Sequence, residues 1–391
     1  MSPEMSPDEI IKEFWNDKNK TYDFIGELCS PKLSGDAVRK RGRDKLGLPP
    51  RRLNKQSAVT KESKKELFKQ FLLKAKTEKE IVSEFGDAKM LETSFEGFSL
   101  YTQRNMWNEK IYILLPEFKG KMKLKEKDWE FHIAKDENGV EEPYIMCKLP
   151  NFKKKLIIVP LYDIHLGHHA HRSEKFLSYI NWIKETPNVF TFLGGDLMEN
   201  ALDDGRGMSY DQDKNPETQL DELTKILAPI AHKILVSVPG NHEQRTEKKS
   251  GIDISQVLAE RLNIPYFCGP VFMDILANGY RWSFYIQHGN TFSRTKGGKM
   301  NAAARPKTFT GLVHFFVSGH VHDKNVGSES LLIQDPVNCR LQQVEQWFVV
   351  AQSFLGWYKT YAYRAGWQPP APGGVAIELD ENGKYRAVFS D

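Results

Sequence analysis

The stretch ILVSVPGNHE, residues 234–243, sets an apolar, β-branched run directly before a glycine, an amide, an imidazole and a carboxylate. Four other stretches repeat the pattern. LIIVP leads to Asp163-Ile164-His165, VFTFL to Gly195-Asp196, WSFYI to His288, and VHFFV to Gly319-His320-Val321-His322. Short apolar runs of this kind read as buried strands, so each polar island stands where a strand emerges into a loop. Open α/β sheets gather their sites at such strand ends. The islands are about 30 to 50 residues apart, room for a strand, a helix and a return strand. Helical spacing is visible between them, at Phe176, Leu177, Ile180 and Ile183, and again at Leu220, Leu223, Ile226, Leu227 and Ile230.

Side chains two apart on an extended segment point the same way, so Asp163 with His165, and His320 with His322, are expected to face one cluster. Carboxylate, imidazole and amide oxygen without thiolate suit manganese, iron or zinc in a hydrolytic centre better than a structural zinc. Asp163, His165, Asp196, Asn241, His288, His320 and His322 are more ligands than one ion needs. The surplus predicts two divalent ions about 3.5 to 4 Å apart with one carboxylate shared.

The order D-x-H, G-D, G-N-H-E, H, G-H-x-H resembles the calcineurin-like metallophosphoesterase superfamily over about residues 155 to 325, in the style of its DNA repair nucleases. The resemblance assigns Asp163, His165 and His322 to one ion, Asn241, His288 and His320 to the other, and Asp196 to both. It implies an α/β, four-layer αββα sandwich. It also gives His242 the role of facing the scissile phosphate, to protonate the leaving oxygen or stabilise developing charge. Glu199, three residues after Asp196, takes the place of the carboxylate that orients that histidine.

One departure bears on the substrate. Protein serine/threonine phosphatases of the superfamily read G-D-x-V-D-R-G at the second island. This chain reads GDLMENA, with Asn200 in place of the phosphate-binding arginine. A dianionic monoester favours a bidentate guanidinium, so its absence points to a phosphodiester; Arg245 is the nearest substitute for that charge. The other histidines, His132, His168, His169, His171, His232 and His314, read as hydrogen-bonded structural residues. Glu243 reads as a residue that fixes its loop, and Asp323 as a partner of a ligating histidine.

Charge is unevenly spread over the 391 residues. The net charge is only +4, but Arg39 to Lys76 holds 14 Lys or Arg against three acids, as a nucleic-acid-binding surface would. SPDEIIKEFW (6–15), TYDFIGELC (21–29) and SGDAVRKRGRDKLGLPP (34–50) read as three helices. The third is capped by Ser34 and carries Arg39, Lys40, Arg41 and Arg43, which resembles a helix-turn-helix and nominates those four for DNA. Helix signals from Lys64 to Phe85, then EGFSLYTQ and KIYILLPE around RNMWNE, look like a winged helix.

The expected organisation is therefore a helix-turn-helix-like module at 1–50, a winged-helix-like module at 62–116, a lysine-rich β bridge at 117–154 with KMKLK as an edge strand, and the metallophosphoesterase domain at 155–391. The aromatic stretch 354–374 offers Trp357, Tyr358, Tyr361, Tyr363 and Trp367 either as cover for the second sheet or as stacking surfaces for unpaired bases, with Lys359 and Arg364 on phosphates.

A hydrophobic share of 40% suffices for a sizeable core. The four cysteines are widely separated and form no C-x-x-C pair, as expected in a reducing cytoplasm. Neither a membrane-length apolar run nor a signal peptide is evident, so no membrane partner is expected. The leading expectation is a dinuclear-metal nuclease acting on DNA. The alternatives are a phosphomonoesterase or nucleotide phosphohydrolase, and a DNA-binding regulator without turnover.

Overall fold

The computed structural model describes residues 6–14, 34–41, 45–46, 61–72, 76–86, 88–96, 98–104, 110–116, 124–202 and 211–390. The chain divides into two compact units, one through Gln70 and one from Phe71.

In the first unit, α1 (Pro7–Phe14) and α2 (Gly35–Lys40) are described, followed by the start of α3 (Lys61–Leu72). Ser34 caps α2, its side chain accepting from the Ala37 N–H. Residues 21–29, expected to be helical, and Arg43 lie outside the described residues.

The second unit opens with β1 (Lys76–Thr77), α4 (Glu78–Phe85), β2 (Phe98–Arg104) and β3 (Lys110–Pro116). Thr77 and Glu80 close a capping box at the start of α4, and Gly86 ends it at φ 80°. β2 and β3 form the hairpin expected from the sequence, and β1 adds to β3 in the sheet order β1-β3-β2.

The remaining strands build two sheets. β4 (Glu130–Lys135), β5 (Glu141–Lys148), β9 (Val271–Ala277), β10 (Tyr280–Ile286), β11 (Phe315–Ser318), β12 (Asn325–Asp335) and β13 (Arg340–Val350) form one, in the order β12-β13-β11-β10-β9-β5-β4. β6 (Lys155–Leu161), β7 (Val189–Leu193), β8 (Ile234–Ser237), β14 (Gly374–Asp380) and β15 (Tyr385–Ser390) form the other, in the order β15-β14-β6-β7-β8.

Residues 130–148, read above as part of a bridge, thus extend the larger sheet, with β5 parallel to β9. The alternation that seats them there is short, with Ile145 and Cys147 buried between less buried neighbours. Of the expected edge strand KMKLK, residues 121–123 lie outside the described set, and Leu124 and Lys125 belong to no strand.

Strand alternation sorts the side chains into layers. Ile158, Phe190 and Phe192 point to the same core as Met273, Phe284, Phe315 and Val349 of the opposite sheet. Val159, Val189 and Leu193 point the other way, onto α5 (Ser173–Glu185), α6 (Pro216–Leu227) and, after α7 (Glu243–Ser250), α8 (Ile254–Leu262). On the far face of the larger sheet, Tyr285, Phe316 and Phe348 pack against Ala303 of α9 (Lys296–Ala304).

The result is helices, sheet, sheet, helices, the layered α/β architecture expected. One helical position differs: Leu177 is 43% exposed, and Tyr179 joins Phe176, Ile180 and Ile183 on the buried face of α5. No described helix is long and apolar enough to cross a membrane.

Candidate metal centre

The loops after β6, β7, β8, β10 and β11 converge at one place. They are stitched together by main-chain bonds, Asp163 N–H to Gly195 O (3.1 Å), His165 N–H to Asp196 O (3.0 Å) and Gly319 N–H to His288 O (2.8 Å). The ligand loops are not extended. Asp163, His165, Asp196, His320 and His322 all have positive φ, between 48° and 70°. Each such non-glycine residue stores roughly 1–2 kcal/mol of strain, held by the surrounding bonds. The expected same-side alternation is thus replaced by left-handed turns at these five residues.

Glycines before the ligands permit the close approach. A Cβ on Gly195 would sit 2.3 Å from the Gly240 nitrogen, and one on Gly240 would sit 2.1 Å from the Asp196 nitrogen.

The seven predicted ligands fall into two sets. His165 Nε2 and His322 Nε2 are 3.0 Å apart, with Asp163 Oδ1 3.5 Å from the latter and Asp196 Oδ2 3.9 Å from the former. On the other side, His288 Nε2 lies 3.2 Å from Asp196 Oδ2, 3.1 Å from Asn241 Oδ1 and 3.3 Å from His320 Nδ1. Asp196 Oδ2 faces both sets. The titratable members form groups whose ligand atoms lie within 4.8 Å of one another.

A cation fits this donor set on three grounds. Asp163 Oδ1 is buried and has no hydrogen-bond donor, although the other oxygen accepts from the His320 N–H. Asp163 and Asp196 are essentially inaccessible, and their described ion-pair partners are histidines. A proton on His288 offsets part of their charge. Burial pushes the His288 imidazole down, but the Asp196 carboxylate more than reverses this and raises it to about 10. Burial likewise pushes both carboxyls up, and His322 beside Asp163 and His288 beside Asp196 hold them below the ordinary range. His165 is pushed down to about 3 by burial and then by His322, so it stands neutral with a lone pair to give.

Around this centre, roles differ from expectation at Glu199. Its carboxylate Oε2 meets His165 Nδ1 at 3.0 Å, while its backbone oxygen accepts from His242 Nδ1 at 2.7 Å. The carboxylate therefore orients a candidate metal ligand, and His242 is oriented mainly by the main chain; Oε2 is 3.6 Å from His242 Nδ1. Burial lowers His242 to about 4, leaving Nε2 as an acceptor, and the Arg245 Nη2 donates to it at 2.8 Å. Arg245 also donates to the Glu199 carbonyl.

Asn200, the departure noted in the sequence, is fully buried. It brackets the loops by donating to His242 O and accepting from the Thr246 hydroxyl. Glu243 fixes its loop as expected: its two oxygens accept from the N–H groups of Asp196, Leu197, Met198 and Gly240. Asp323 does not back a histidine; it is paired with the buried Lys299 at 2.9 Å.

Four of the histidines set aside in the sequence have local partners for their rings. His168 Nδ1 accepts from Ala170 N–H, His169 and His171 bond main-chain oxygens, and His314 bonds Ser283. His232 departs from the expectation, because its carbonyl accepts from the Trp129 indole while its buried ring Nδ1 has no hydrogen-bond partner, and His132 is exposed.

Among the nominated DNA contacts, Arg39 and Lys40 lie on α2 with Lys40 exposed, whereas Arg41 is ion-paired with Asp8 of α1. Tyr361 was grouped in the sequence only with other aromatics. Its hydroxyl reaches His322 Nδ1 at 3.2 Å, and no periodicity in 354–374 signals it.

No family model and no curated protein matches the chain. Among solved structures, a calcineurin-like phosphoesterase from Bacillus subtilis is similar over 61% of this chain and 91% of that one, at 12% identity and a TM-score of 0.29. A superposition that loose does not establish a shared fold, and the architecture here rests on the strand pairings and cores above.

Proposed function

We propose that this chain is a dinuclear metal-dependent phosphoesterase of the calcineurin-like superfamily, hydrolysing phosphodiesters of DNA with its N-terminal modules as the DNA-binding part. The observation that carries the reading is a pair of ligand sets sharing Asp196, with an orphaned Asp163 oxygen and, among the described residues, histidines as the ion-pair partners of both carboxylates. Asp163, His165, His322 and Asp196 would hold one ion; Asn241, His288, His320 and Asp196 would hold the other. Manganese is the first choice for such a nitrogen and oxygen set, with iron or zinc as alternatives. When bound, the ions would supply Lewis acidity toward the phosphoryl oxygens and a nucleophile at neutral pH.

The protein's own groups do the rest. His242 donates through Nδ1 to Glu199 O and accepts at Nε2 from Arg245, so the pair offers charge rather than a ready proton. The Arg245 guanidinium is poised to stabilise charge developing on the phosphate. Neutral His242 serves to aim it. Asn200, locked between loops, supplies no guanidinium for a dianionic monoester, which favours the diester.

Support for DNA comes from the exposed Lys40 on α2. It also comes from the sequence helix, strand, helix, hairpin over 61–116, with β1 joined to β3, an order similar to winged-helix modules. A monoester or nucleotide substrate is the second reading, favoured by Arg245 alone.

Purified full-length protein with Mn²⁺ is expected to cleave bis(p-nitrophenyl) phosphate and linear DNA, and to lose both activities in chelator. His242→Ala should lower turnover about 100-fold or more while metal content is retained. Monoester turnover with intact DNA would move the reading to the second class. Duplex binding without turnover on any ester would make the chain a regulator.

A further inference from the structure

The two imidazoles facing one ligand set are both braced from behind by side chains. His165 turns Nε2 inward and gives Nδ1 to the Glu199 carboxylate, and His322 turns Nε2 inward and gives Nδ1 to the Tyr361 hydroxyl. The other set is braced differently: His288 Nδ1 bonds the Gly194 carbonyl, and His320 uses Nδ1 itself on the inner side. A main-chain brace survives any substitution, whereas a side-chain brace can be removed by one.

Tyr361 is delivered by a segment that is tied to the centre at its root. The Phe354 N–H and the Ser353 hydroxyl both donate to the Asp163 carbonyl, and the Gly356 N–H donates to Ala170 O. Beyond this, Thr360 bonds Trp357 O, the Trp357 indole donates to Trp367 O, and the Tyr361 and Trp367 rings meet edge-on at 5.6 Å. The short helix α10 (Tyr361–Arg364) is further pinned by Arg364 to Asp211 at 2.9 Å.

We propose that Tyr361 is a positioning residue that fixes His322 through Nδ1, so that docking of the aromatic segment 353–367 sets the affinity of the ion held by Asp163, His165 and His322. With Nε2 given to the ion, Nδ1 carries the proton and donates it to the Tyr361 oxygen. The hydroxyl thereby selects the ligating tautomer and restricts rotation of the ring. Tyr361 is 41% exposed overall, and its hydroxyl is within hydrogen-bond reach of His322.

This inference rests on the two-ion reading above, and one experiment separates their failures. Full-length wild type and Tyr361→Phe are titrated with Mn²⁺ by calorimetry and electron paramagnetic resonance, alongside thermal unfolding of the metal-free proteins. Wild type should take up two ions. Tyr361→Phe retains the ring against Trp367, so its metal-free melting temperature should match wild type while one of the two affinities falls about 10- to 100-fold and the other stays fixed.

Tyr361→Ala should reproduce that affinity loss and also lower the melting temperature. Two wild-type affinities in Tyr361→Phe would overturn the proposal. Failure of wild type itself to bind a pair would overturn the two-ion reading, and this inference with it.

Discussion

The ligand loops and the basic helix α2 handle charge in opposite ways. In the loops, charged and polar groups are held by buried partners, the Asp163 Oδ1 excepted: Asp196 by Glu243 through its N–H and by the His242 N–H at Oδ1, His288 by Gly194, His165 by Glu199. On α2, Lys40 stands in solvent and Arg41 is engaged with Asp8. An ion tolerates errors of only about 0.2 Å in its ligands, so donors must be framed by backbone and buried partners. A phosphate neutralised by a lysine is attracted over roughly a Debye length, so the side chain needs no frame. Metal binding therefore demands costly local geometry, and DNA binding by charge demands little beyond composition.

The largest expected effect tests the framed side. Asp196→Ala removes the shared carboxylate and should abolish binding of both ions, a greater loss than the about 10- to 100-fold typical when an outer partner is removed. Metal content after dialysis and diester turnover report it, and a variant that retains two ions would erase the contrast.

Next comes Glu243→Ala, which strands four buried N–H groups and should destabilise the fold by about 3 kcal/mol or more. Glu243→Gln, with a single acceptor oxygen, should fall between, as read by urea unfolding. A neutral result would mean the loops hold their left-handed turns without that carboxylate.

On the unframed side, Lys40→Ala should leave stability within about 0.5 kcal/mol and lower the slope of log affinity for duplex DNA against log salt by about 1. Anisotropy titrations over a salt series measure it, and an unchanged slope removes α2 from the DNA surface.

The smallest effect concerns Asp8, whose carboxyl the Arg41 guanidinium holds down to about 2. A carboxyl with a depressed folded value contributes above its unfolded value near 3.8 and loses that contribution as pH falls toward 2. Acid titration of the helical signal should therefore shift in that window in wild type and not in Asp8→Asn.

Much of the sandwich was legible in the sequence because β-branched runs bounded by glycine are local signals. VFTFL coincides with β7, and WSFYI lies within β10. Less legible was the junction of 130–148 with the larger sheet, since β5 pairs with β9 across more than a hundred residues and carries only a short buried alternation. Within the site, donor types were readable and their wiring was not. Glu199 follows Asp196 at a fixed spacing, yet that its carboxylate turns to His165 and its carbonyl to His242 is visible only once the loops are folded together.

By itself the sequence determined which atoms can bind metal, their order along the chain and the strands that end at them, because residue identity and period two are properties of short segments. Tertiary structure alone decided which nitrogen of each imidazole points inward, that Arg245 caps His242, and that Tyr361 stands behind His322. Those choices are made by left-handed loop dihedrals and by contacts such as His165 with His322, 157 residues apart, and no local pattern encodes them.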